Sequence, residues 1–237
     1  MLRLRDHTVA DYATLRDMDS TDVAELHTAD RACLDELGRY LVATDAWRRF
    51  AIWLLHKHFE PAAGEVFVES VGTAPRGTET ALVERRAARG LNATSMRFDT
   101  AVSRGVGIIG MEFADQSGFG GTLALRDDDA PVLTGIAERL RVYGKAERFG
   151  VRLIRNPLGL VENEVLVESC DLEHRTLRCC VDRRDDIRAA DTVETTWQWK
   201  PGPREVGPQI NQYCTMMCGY DGTGSHYPEG HTIWPDY

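Results

Sequence analysis

Two groups of side chains in this chain could bind a metal ion. His56 and His58 flank Lys57 at the end of an apolar run. Residues i and i+2 of an extended strand point to the same side, so both imidazoles can reach one ion. The second group lies near the C-terminus, where Cys214 and Cys218 are followed by His226 and His231. Thiolates and imidazoles are donors that zinc favours, and that iron and copper also accept. The spacing departs from that of zinc fingers, in which about a dozen residues precede histidines carried on a helix. Here a short loop containing Gly, Pro and Tyr intervenes, and a Cys214–Cys218 disulfide is the competing reading. A catalytic metal takes three protein ligands and keeps one position open. The two groups can therefore be one site, with His56 and His58 supplying two ligands and the folded-back tail a third.

Glu65 and Glu69 follow closely enough to join such a site. Their counterparts Glu164 and Glu168 recur in a second, similar stretch that has no histidines, so scaffold salt bridges account for them better. Cys33, Cys170 and one of Cys179 and Cys180 read as core thiols, and His174 as a solvated turn residue. No serine-nucleophile elbow, dinucleotide fingerprint, Walker loop or H-E-x-x-H helix is present. The glycine-rich Ser117–Gly121 lacks the lysine and the helix that a phosphate loop needs.

The elements that must position these groups come in a repeated order. From Ala29 the apolar residues Cys33, Leu34, Leu37 and Leu41 fall at helical spacing, predicting a helix that ends near Ala43. Residues 50–71 then read as a β-hairpin. Asp127–Asp129 and Pro131 start a second helix with the apolar stripe Val132, Ile136, Leu140 and Tyr143, and residues 148–170 read as a second hairpin. The two hairpins align without a gap: 8 of 22 positions are identical between 49–70 and 148–169. In that alignment Ile52 and Leu54 remain apolar as Val151 and Leu153, while Trp53 becomes Arg152. The face carrying Ile52, Leu54, His56 and His58 is therefore expected to be buried. Its histidine positions become Arg155 and Pro157 in the second stretch.

Further strands are expected at 94–98, 106–113, 122–125, 177–181 and 192–199. The resulting fold class is α+β: two diverged helix-plus-β-hairpin repeats form a mainly antiparallel sheet or barrel, with an irregular C-terminal tail wrapping over it. The segments are 1–46, helical; 47–126, the first β-rich repeat; 127–200, a helix and the second repeat; and 201–237, the tail.

Composition narrows the function classes. Hydrophobic residues make up 43% and charged residues 27%, which suits a globular domain rather than a disordered chain. A net charge of -9 without a basic cluster argues against nucleic acid as a partner. No stretch is apolar for the roughly 18 residues that a membrane helix needs. Residues 1–6 turn polar at once, so no signal peptide and a cytoplasmic location are expected, with reduced cysteines. The favoured function is a metal-dependent enzyme acting on a small molecule, with zinc, iron or copper held by residues from the set His56, His58, Cys214, Cys218, His226 and His231. The alternative is a non-catalytic binding or accessory protein whose tail is stapled by a structural metal or by packing alone.

Overall fold

The computed structural model describes residues 2–73, 75–87, 90–102, 105–114, 124–187, 192–202 and 210–219. Its α-helices are α1 (Val9–Ala13), α2 (Ser20–His27), α3 (Arg31–Ala43) and α4 (Ala130–Val142). The strands of the first half are β1 (Leu2–Asp6), β2 (Phe50–Leu54), β3 (Glu65–Thr73), β4 (Arg76–Glu84), β5 (Asn92–Phe98) and β6 (Val106–Ala114). Those of the second half are β7 (Phe149–Leu153), β8 (Glu164–Asp171), β9 (Thr176–Arg183), β10 (Thr192–Pro201) and β11 (Ile210–Gly219).

Ten strands close into a mixed barrel in the order β6-β3-β4-β9-β8-β11-β10-β2-β7-β5, with β5 returning to β6. β1 adds parallel to the outer part of β6. This overturns the α+β helix-plus-hairpin reading, because β2 and β3 do not form a hairpin. β2 pairs with β7 and β10, while β3 pairs antiparallel with β4 and parallel with β6. The physical reason is visible in β2, all five of whose residues are buried. A strand apolar on both faces needs cover on both, as a half-solvated hairpin strand does not. The irregular tail is corrected too: residues 210–219 form β11, which sits between β8 and β10. The strand expected at 122–125 is absent at Ala124 and Leu125, while 115–123 and 220–237 lie outside the described residues.

The pairing pattern repeats itself around the barrel. β2 pairs with β7, and β4 with β9. The pairs β3–β4, β3–β6, β5–β6 and β5–β7 correspond to β8–β9, β8–β11, β10–β11 and β10–β2. What the two halves share is thus this strand pairing rather than the hairpins expected.

One face of β2 and β7 carries Phe50, Ile52, Leu54, Phe149, Val151 and Leu153. It packs with Leu34, Leu37 and Leu41 of α3 and Leu133, Ile136 and Leu140 of α4. The buried stripe of α4 includes Leu133, whereas Tyr143 is exposed. α3 lies so close to β10 that a methyl group on Gly38 would overlap the Trp199 indole. Gly38→Ala is therefore expected to lower stability by about 1–3 kcal/mol through overpacking, despite alanine's better helix propensity, as read by the midpoint of urea unfolding.

The opposite face of the barrel wall is charged. Arg152 on β7 meets Glu69 on β3 at 2.9 Å and Glu112 on β6 at 3.0 Å. Since β5 and β6 separate β7 from β3 in the sheet, the first of these contacts crosses the barrel interior. Arg155 also pairs with Glu69. Among the described residues, no helix is long and apolar enough to cross a membrane.

Candidate metal centre

His56 and His58 follow the end of β2, where the chain turns into the interior. Neighbouring elements fix that turn. Leu55 N–H donates to Arg148 O at 3.0 Å and Lys57 N–H to Arg16 O at 3.1 Å. His58 N–H donates to Tyr12 Oη at 3.2 Å. The N-terminal segment thus clamps the histidine turn, with α1 itself held by the capping box of Thr8 and Asp11. The turn also corrects the expected face: Ile52 and Leu54 pack against the helices, while His56 crosses to the charged interior.

There His56, His58, Glu168 and Cys218 converge, with one ligand atom from each lying within 4.8 Å of all the others. Donors on one zinc ion, with bonds of about 2.0–2.3 Å, stand roughly 3.3–3.8 Å apart. Side-chain shifts of about an ångström would therefore bring the four donors to coordination distance. Glu168 and Cys218 face each other as register partners on the parallel strands β8 and β11. His56 Nε2 lies 4.0 Å from Glu168 Oε2 although β10 and β11 intervene in the sheet. His56 and Cys218 are each 2% exposed, and so is Glu168.

Second contacts orient the ligands. His56 Nδ1–H donates to Leu54 O at 2.8 Å, which leaves the Nε2 lone pair towards Glu168. His58 Nδ1 stands 2.9 Å from Cys170 Sγ. With the hydrogen on Nδ1, its Nε2 is likewise the coordinating atom. Thr195 Oγ1–H donates to Glu168 Oε2 at 3.2 Å.

Burial sets the protonation states. It pushes His56 down to about 4 and, with the charge of Glu112 adding, Glu168 up to about 8. Burial first and Glu168 next hold the Cys218 thiol well above its ordinary value. At neutral pH without a metal His56, Glu168 and Cys218 are therefore close to uncharged. Deprotonating Glu168 and Cys218 gives two negative charges beside two neutral imidazoles, which balances one divalent cation.

Of the six expected ligands, the structure brings together His56, His58 and Cys218. Cys214 lies on β11 apart from this group, where its Sγ–H donates to Met216 O at 2.9 Å. Arg184 and Glu194 are its charged neighbours. His226 and His231 lie outside the described residues. All six cysteines are free thiols, so Cys214 and Cys218 form no disulfide. Cys33 is buried in α3, and His174 is exposed beside Asp171, both as expected. Glu168, which the sequence assigns to a scaffold salt bridge, is the fourth member of the group.

A void of about 10 Å³ borders His56, His58, Trp53 and Glu112. That is about the space one water molecule occupies. A larger cavity of about 620 Å³ opens elsewhere in the barrel and reaches Glu69, Arg152 and Arg155. The Arg152–Glu112 pair stands between the two spaces, because Arg152 lines the cavity and Glu112 the void. Comparison of the chain with protein-family models, with curated proteins and with solved structures finds no match.

Proposed function

We propose that this barrel is a metal-dependent protein that holds a divalent transition metal, zinc foremost, on His56, His58, Glu168 and Cys218. One comparison within the barrel carries the reading. Glu69 on β3 is the register partner of Ala114 and pairs with Arg155, two residues beyond the end of β7. Glu168 occupies the corresponding place on β8. Its register partner is Cys218, and it faces His56, two residues beyond the end of β2. Where one carboxylate has a guanidinium, the other has an imidazole and a thiol. A buried carboxyl ionises only when a cation faces it, and a metal ion shared with the three neighbouring donors would be that cation for Glu168.

The water-sized void supports catalysis at the metal. Trp53 Nε1 is buried and has no hydrogen-bond acceptor among the described residues. A metal-bound water in the void would accept its hydrogen and occupy a fifth position. Metal binding lowers the pKa of such a water towards 7, and the product is a nucleophile for a small molecule. The second reading is a closed structural site. The observation favouring it is that four protein donors, three of them almost fully buried, already satisfy zinc. Metal-loaded and metal-free protein are to be compared for melting temperature and for hydrolysis of a panel of small esters. The catalytic reading expects turnover only in the loaded form, lost in Trp53→Phe with zinc retained. Zinc-dependent stability without turnover establishes the structural reading instead. Failure to bind zinc contradicts both.

Proton release gives a prediction with a definite sign. Ligation would displace the Cys218 proton up to about pH 9 and the Glu168 proton only below about 8. Zinc binding should release about two protons near pH 6.5 and about one near pH 9. Affinity rises with pH as proton competition weakens. Calorimetric titration in buffers of different ionisation enthalpy counts these protons, and release independent of pH would show that Glu168 is not a ligand.

A further inference from the structure

The cavity of about 620 Å³ falls within the range of small-molecule sites. Its walls include Leu153, Leu158, Leu160 and Leu166, and its polar floor is Arg152 with Glu69. Arg152 carries five N–H donors. Its Nη2 donates to Glu69 at 2.9 Å, whereas Nη1, beside Glu112, also donates to the Met216 thioether at 3.6 Å. A thioether is a weak acceptor, so besides its ion pair with Glu112 at 3.0 Å the Nη1 group directs a hydrogen at a poor partner on the cavity wall. The charged residues lining the space are Glu69, Glu162, Glu164, Arg152, Arg155 and Lys200, three of each sign. A neutral ligand keeps that balance. A carboxylate would add a buried charge that nothing offsets.

We propose that this cavity is a binding site for a neutral, largely apolar molecule bearing a carbonyl group, whose oxygen takes the Arg152 Nη1–H in place of Met216. The proposal stands apart from the metal reading, since none of the four metal ligands lines the cavity.

Three probes of similar size separate the possibilities: 2-acetylnaphthalene, 2-ethylnaphthalene and 1-naphthylacetate, each titrated against the full chain by fluorescence. The ketone should bind at least about tenfold tighter than the hydrocarbon, the effect of one hydrogen bond to a charged donor. It should also bind tighter than the carboxylate. Arg152→Met should erase the preference for the ketone. If that variant does not fold, Met216→Leu replaces it; this change removes only the weak acceptor and should keep or enlarge the preference. Leu160→Trp, at the cavity wall, should weaken all three probes by at least about tenfold by filling the space. Equal binding of ketone and hydrocarbon, tighter binding of the carboxylate, or no binding of any probe at millimolar concentration would overturn the proposal.

Discussion

Cys218→Ala is expected to lower zinc affinity by about 100- to 1000-fold, and Cys214→Ala to leave it unchanged. The first figure follows from sharing roughly 10–16 kcal/mol of zinc binding among four ligands. The contrast is the stronger statement, because the two thiols lie on one strand four residues apart and are both buried. Only Cys218 stands opposite Glu168. A generic thiol preference of the unfolded chain would weaken both variants alike. Competition against a chromophoric zinc chelator measures the two affinities, and equal losses would exclude the geometry described above.

Arg148→Leu should be the most damaging single change to the fold. Arg148 is 2% exposed and ties the N-terminal helices to the start of β7. Its Nε–H donates to Asp30 at 3.0 Å, Nη1–H to Asp22 at 3.2 Å and Nη2–H to Asp22 O at 2.6 Å. Asp30 is fully buried, with Lys145 at 2.5 Å as its other cation. Removing the guanidinium strands buried carboxylate charge, which costs about 3–5 kcal/mol. In a chain of this length that corresponds to a fall of roughly 6–20 °C in melting temperature. Lys145→Met should cost less, since Arg148 still holds Asp30. Thermal unfolding followed by circular dichroism ranks the two, and the reverse order would refute this assignment.

The histidine pair and Cys218 were legible as ligands because residue type alone marks them. Their convergence was not. On paper His56 shares a face with Ile52 and Leu54, and only the turn after β2, held by Arg16 and Tyr12, sends it into the interior. Glu69 and Glu168 both read as scaffold salt bridges in the sequence, because Glu168 recurs in the stretch that has no histidines. The same scaffold position meets Arg155 in one half and His56 in the other. β11 is hidden in the sequence because proline and glycine dominate the residues around it, which gives 201–237 the texture of an irregular tail. Cys214, Met216 and Cys218 alternate with half-buried residues, and all three are buried. Extending the correspondence beyond 192–199 would have called for a strand to match 106–113. Hairpin pairing failed for a different reason. Sequence similarity shows which segments are alike, whereas strand partners depend on how a ten-strand barrel closes.

X-ray absorption at the zinc edge tests the central claim most directly. The full chain loaded with one equivalent of zinc should show one sulfur at about 2.3 Å and nitrogen or oxygen donors at about 2.0–2.1 Å. In Cys218→Ala the sulfur should vanish. A spectrum without sulfur, one with two or more sulfurs, or protein that retains no zinc after desalting would contradict that claim.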